Sequence, residues 1–189
     1  MKLIDPHIDV ASIYDEFKIP LDDFFGQRKD IPVSLPMLQD TETSIVGFSL
    51  FMDPNLIQTN MFDGVMKYYD WYRELLSKTT ELFQIKNSTD VDSLPSDKTG
   101  FFYSIEGLEC FRNEQDFETF YDIGVRSFGL TWEGPNDYAT GKGAQTDFGI
   151  TSRGKELLKK MSKHKLIIDT AHLSEKSFID LDKSFDGIL

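Results

Sequence analysis

One cysteine, Cys110, occurs in the 189 residues, so an intrachain disulfide is excluded and stability must come from packing. Cys110 itself is expected to be a reduced, partly buried thiol rather than a ligand or a nucleophile. Basic residues are also few: 20 Lys and Arg against 32 Asp and Glu give a formal net charge of -12. That balance argues against nucleic acid and anionic membrane as partners, because both select clustered cations. No stretch approaches the ~20 apolar residues of a membrane span. No basic region runs into an apolar one near the N-terminus, so no secretory leader is recognisable. Together these absences lead us to expect a cytoplasmic protein.

What is present is the composition of a globular domain, with 40% hydrophobic and 13% aromatic residues, enough for a substantial core. Residues 2–9 read as a strand, and 10–34 as a long loop with room for one short helix. Pro36 to Thr43 suits a helix opening behind Ser34. Ser44 to Met52 is a near-continuous apolar run closed by Asp53-Pro54, the pattern of a strand buried on both faces. From Gln58 to Lys78, Met61, Val65, Tyr68, Tyr69, Tyr72, Leu75 and Leu76 recur at helical spacing and should face the core. Phe83 to Lys86 suits a short strand, and 87–99 is polar enough for a loop.

Gly100 to Gly107 is a second buried-strand pattern, ending in a carboxylate and a glycine. Asn113 to Ile123 suits a helix closed by Gly124, and Val125 to Trp132 the next strand. A Gly/Pro/Asn-rich loop, 133–149, precedes a basic amphipathic helix from Thr151, its expected cap, to His164. Leu166 to His172 reads as a strand, and Ser174 as the cap of a helix reaching about Lys183. Gly187-Ile188-Leu189 looks like the start of one more strand. One apolar strand per helix predicts an α/β fold with a parallel sheet and helical crossovers.

Four potential metal ligands fall at the C-terminal ends of these strands. His7 and Asp9 are spaced i, i+2, which places both on one face of an extended strand. Glu106 ends the 100–107 strand, and His172 ends the 166–172 strand. In a (β/α) barrel those ends form the active-site rim. Imidazole nitrogen and carboxylate oxygen together suit a hard-to-borderline cation. His164, at the end of a lysine-rich helix, is expected at the surface, where the helix dipole favours a cation.

In that order the segments resemble the renal (membrane) dipeptidase family of metallopeptidases, peptidase family M19, a branch of the amidohydrolase-type barrels. Asp5-Pro6-His7-Ile8-Asp9 matches its opening Asp-x-His-x-Asp, and Ser104-Ile105-Glu106-Gly107 its Glu-Gly strand end. Gly124-Val125-Arg126 through Leu130-Thr131, with Asn136 and Gly141 beyond, resembles its Gly-hydrophobic-Arg…Leu-Thr segment. Ile168 to Ser174 resembles its Asp-x-Ser-His-x-Ser strand end.

The resemblance implies a TIM-like (β/α)8 barrel, incomplete here, with about five strands plus the start of a sixth. Residues 1–189 would be the N-terminal part of that single domain. It implies two Zn2+ ions sharing one water or hydroxide that attacks the peptide bond of a dipeptide. His7 and Asp9 would hold the first ion, Glu106 would bridge both as the catalytic carboxylate, and His172 would bind the second. Two cations a few ångströms apart need a bridging anion, and a carboxylate with two oxygens can supply it.

Three points qualify the resemblance. Where the best-known members follow Leu-Thr with a substrate-contacting His, this chain has Trp132, so Trp132 is expected to line the substrate pocket. Asp169 is expected either to support a metal ligand from behind or to make a core hydrogen bond. The family continues with a further His ligand, a substrate-binding Arg and a late Asp, so the chain is expected to be a fragment. Two other readings stay open: an amidohydrolase-type enzyme acting on an amide, lactam or phosphoester, and a half barrel that works only by association. A half barrel leaves a sheet edge that favours self-pairing, including a homodimer.

Overall fold

The computed structural model describes residues 3–28, 30–41, 43–53 and 60–189. Packing divides the chain into two compact units, residues 1–59 with 63–104, and residues 60–62 with 105–189. Lys2, Pro54, Gln58 and Thr59, at the edges of three expected elements, lie outside the described residues.

In the first unit, β1 (Leu3–Ile8) leads into α1 (Val10–Glu16), a 3-10 turn (Leu21–Phe25) and α2 (Leu35–Asp40). Ser34 caps α2 by accepting the Met37 N–H at 3.4 Å, as its position predicts. The helix stops at Asp40 rather than Thr43, because Thr43 already opens the next strand. That strand, β2 (Thr43–Leu50), pairs in parallel with β1, and the register slips between Asp5 and Ile8. The slip surrounds Pro6, which has no N–H to give to a ladder. A Cβ on Gly47 would stand 1.9 Å from the Pro6 carbonyl, so only glycine allows β2 to pass here.

Next come α3 (Met61–Ser77), β3 (Leu82–Gln84) and α4 (Ser88–Asp92). Val65, Tyr68, Tyr72 and Leu75 of α3 are buried, as their spacing predicts. Tyr72 stacks on Phe48 at 4.9 Å, and its hydroxyl donates to the Ser49 carbonyl at 3.2 Å. The expected loop at 87–99 contains α4, held by a capping box in which Asn87 and Asp90 satisfy each other's backbone N–H. β4 (Thr99–Glu106) neighbours β2 and pairs in parallel with β3; its last two residues belong to the second unit.

There the chain runs through a 3-10 turn (Leu108–Cys110), α5 (Asp116–Ile123) and β5 (Val125–Gly129). Gly124 closes α5 at φ 109°, the left-handed cap expected of it. The Gly107 and Leu108 N–H groups donate to the Gly129 and Leu130 carbonyls, laying the end of β4 beside β5. α6 (Ser152–Lys163), β6 (Ile167–Asp169) and α7 (Glu175–Ser184) complete the chain. Thr151 and Ser174 cap α6 and α7 as anticipated. β5 and β6 pair in parallel, and Ile188 bridges Ile167 in parallel, so the expected terminal stub is one bridge long. Phe111, Phe117, Phe120 and Phe128 form the aromatic core of this unit.

Cys110 is fully buried, and burial raises its thiol pKa well above the ordinary range. His164 is exposed at the end of α6, as expected, and its ring packs on Tyr121 with centroids 4.5 Å apart. Among the described residues, no helix is long and apolar enough to cross a membrane.

Candidate metal centre

In the first unit, His7 lies in the last turn of the β1 ladder and Asp9 lies just beyond it. β1 ends at Ile8, one residue short of the expectation, because Asp9 turns out of the ladder into the N-cap position of α1. Its side chain does not cap that helix. Instead Asp9 Oδ2 lies 3.3 Å from His7 Nε2, so the two expected ligands do meet. Asp5 Oδ1 accepts the His7 N–H at 3.2 Å and steadies the strand end.

Burial raises the Asp9 pKa, but the hydrogen bond and charge of His7 outweigh it, and the carboxyl is held below its ordinary range. The Ser49 hydroxyl adds a smaller lowering contribution. Even so, Asp9 Oδ1 and Ser49 Oγ are buried without a hydrogen bond of ordinary geometry among the described residues. A buried carboxylate oxygen left in this way is costly unless a cation meets it.

In the second unit, Glu106 is the last residue of β4, and its Oε1 lies 2.9 Å from His172 Nε2. These two expected ligands therefore meet as well. His172 is not on a strand, contrary to the reading of 166–172. β6 stops at Asp169, whose Oδ1 accepts the Ala171 N–H at 2.8 Å and folds a turn. The turn ends at His172 with φ 63°, a left-handed conformation that no ladder accepts. The hydrogen bond Asp169 makes is local, within the turn that leads to His172.

His172 is also tied to the loop after β5. Its carbonyl accepts from the Lys142 N–H at 2.9 Å and from Thr131 Oγ1 at 3.2 Å. Its other ring nitrogen, Nδ1, lies 3.1 Å from Glu133 Oε1, and Lys142 Nζ is 3.2 Å from that same oxygen. The Lys142 hydrogen bond holds the Glu133 carboxyl below the ordinary range, and His172 adds to the effect. The Trp132 ring stands 6.4 Å from the His172 ring, centroid to centroid, at 48°. Trp132 thus lies beside an expected ligand.

Two residues absent from the sequence reading shape this corner. Glu109 Oε1 accepts the Trp132 N–H at 2.9 Å, while Oε2 is buried without a hydrogen-bond partner among the described residues. Burial raises its pKa, and the charge of Glu106 adds to that. Gly107 makes room for it: φ is +87°, and a Cβ there would come within 2.1 Å of Glu109 Oε2. Glu133 is the other, visible only once the loop brings it to His172. Asn136 ties the loop down, donating to the Leu130 carbonyl and accepting from the Tyr138 and Ala139 N–H groups. A Cβ on Gly141 would meet three carbonyl oxygens at 2.5–2.6 Å, so the loop closes only on glycine.

Residues 1–183 match the family model of membrane dipeptidase, peptidase family M19. The chain belongs to this family. Among solved structures, dipeptidase AC, an M19 metallopeptidase, superposes with a TM-score of 0.85 at 17% identity. The match covers 98% of this chain and 61% of that one. A metallopeptidase from Rhodobacter sphaeroides, bound to a phosphinate mimic of the dipeptide L-Ala-D-Ala, gives 0.81 at 18% identity, over 98% and 63%. At these identities the likeness shows the fold, a parallel (β/α) arrangement matching part of the M19 barrel. Dipeptidase tcpJ of Claviceps purpurea is 26% identical over 137 residues, which is 70% of this chain and 30% of that protein. The M19 chain thus spans less than two thirds of the length of these relatives.

Proposed function

We propose that this M19 chain carries metal-binding residues of a zinc-dependent dipeptidase, with His7, Asp9, Glu106 and His172 as the ligands. The observation that carries the reading is the pairing of each expected ligand with a second one, together with the buried Asp9 Oδ1, which makes no hydrogen bond of ordinary geometry among the described residues. Nitrogen and carboxylate oxygen donors fit zinc. When bound, zinc supplies Lewis acidity, lowering the pKa of water toward neutrality and offsetting charge that develops on a carbonyl oxygen.

The chain's own residues supply the rest. His7 and Asp9 offer one nitrogen and one carboxylate at the end of β1. Glu106 has two oxygens to share and would be the carboxylate that holds metal together with His172. Trp132 forms an apolar wall where a peptide side chain can pack and water is excluded. The metallopeptidase of similar fold that binds a phosphinate dipeptide mimic supports a dipeptide as substrate. The broader reading, another amidohydrolase-type hydrolase, is favoured by one observation: a Pseudomonas aeruginosa amidohydrolase shares the fold with a TM-score of 0.68.

Incubating a form of the protein extended to the length of its relatives with dipeptides, acylated amino acids and phosphoesters, with and without chelator, separates the two. The dipeptidase reading expects free amino acids from dipeptides alone, lost with chelator and restored by Zn2+. Metal-dependent turnover of only the other substrates would overturn it in favour of the broader hydrolase.

A further inference from the structure

The proposed ligand His172 is gripped on both sides, and the grip on Nδ1 has no part in the ligand set above. Its backbone is in a left-handed conformation that is strained for a residue other than glycine, and such strain persists only where surroundings hold it. Here the surroundings are one loop. Thr131 Oγ1 and the Lys142 N–H fix the carbonyl, and Glu133 Oε1 takes the ring nitrogen facing away from Glu106. Each ring nitrogen faces a carboxylate, Nε2 the Glu106 Oε1 at 2.9 Å and Nδ1 the Glu133 Oε1 at 3.1 Å, so with a metal on the Nε2 side the Nδ1–H has Glu133 as its acceptor.

We infer that Glu133, itself oriented by Lys142, is a positioning residue that holds the His172 ring plane from the Nδ1 side, so that Nε2 is aimed at the metal. The inference rests on the metal reading of His172. Lys142 Nζ reaches the same Oε1, so its ammonium orients the carboxylate without blocking the imidazole. Carboxylate behind a ligating imidazole raises the basicity of the ligand and fixes the ring plane, and its removal typically lowers metal affinity about 10–100-fold.

The test is a competition titration of the 189-residue chain with Zn2+ against a chromophoric chelator, for wild type, Glu133→Ala, Glu133→Gln and Lys142→Met. Imidazole 15N spectra of the zinc-loaded proteins are recorded alongside. Glu133→Ala should lose about 10–100-fold in Zn2+ affinity and the downfield Nδ1–H signal of His172. Glu133→Gln keeps an acceptor oxygen and should recover part of both, and Lys142→Met should fall between Glu133→Gln and wild type. Glu133 is 40% exposed, so its replacement leaves the core intact. Wild-type affinity in Glu133→Ala with an unchanged Nδ1–H signal would overturn the inference and leave the metal reading standing. A wild-type chain that takes up no Zn2+ would overturn both.

Discussion

Asp116 shows how much a single carboxylate is held by its neighbours in this fold. Its side chain is 2% exposed at the start of α5, and Arg112 grips it through Nη2 at 2.7 Å, Nε at 3.1 Å and the backbone N–H at 2.7 Å. Burial alone would raise its pKa, but the Arg112 hydrogen bonds hold it below the ordinary range. A depressed folded pKa means the contribution to stability is complete above the unfolded value of about 3.9 and is lost as pH falls through the folded value. Arg112 is half-exposed, so water screens part of the attraction. Asp116→Asn is therefore expected to cost about 1–2 kcal/mol at pH 7, shrinking toward zero at pH 2–3. Urea unfolding at both pH values measures it, and an equal cost at both would show that the charge plays no part. Legibility at this scale was uneven. That His7, Asp9, Glu106 and His172 are candidates was readable because each stands beside an apolar run, and they do meet in pairs. Glu133 and Glu109 were not, since neither sits at a strand end and their partners are set by the loop fold.

Among elements, the caps were the most legible feature. Ser34, Gly124, Thr151 and Ser174 each stop or start a helix as their chemistry dictates. The missed helix, α4, carried its own signal in Asn87 and Asp90, three apart, but five residues with no apolar face gave periodicity nothing to detect. The strand expected to reach His172 was too long for a different reason: Asp169 offers the backbone a local hydrogen bond that competes with the ladder. The turn after β4 makes a sharper prediction. Gly107→Ala forces a side chain into φ +87° and against Glu109, so it should destabilise by about 1–3 kcal/mol. For a chain of this size each 1 kcal/mol shifts Tm by about 2–4 °C. An unchanged Tm would mean that the turn relaxes at no cost.

For the whole molecule, the parallel (β/α) class followed from alternating apolar runs and helical stripes, and the M19 match confirms the family that the motif segments resembled. The alternation could not say how β1 is covered. β1 ends the strand path among the described residues, and Leu3 and Ile4 on it are 43% and 57% exposed. Exposed apolar side chains on an edge strand favour pairing with another chain. Light scattering of the 189-residue chain should show self-association that rises with concentration and falls in Ile4→Lys. A monomer at all concentrations would show that the edge is already blunted.

The most direct test of the metal assignment is calorimetric titration of Zn2+ into the wild-type chain and into His7→Ala, Asp9→Asn, Glu106→Gln and His172→Ala, each shown to unfold at a similar temperature. The account predicts uptake by wild type and at least ~10-fold weaker binding in every variant, by analogy with the cost of losing even outer-shell support. No uptake by wild type, or variants that bind zinc as tightly as it does, would contradict the assignment of these four side chains.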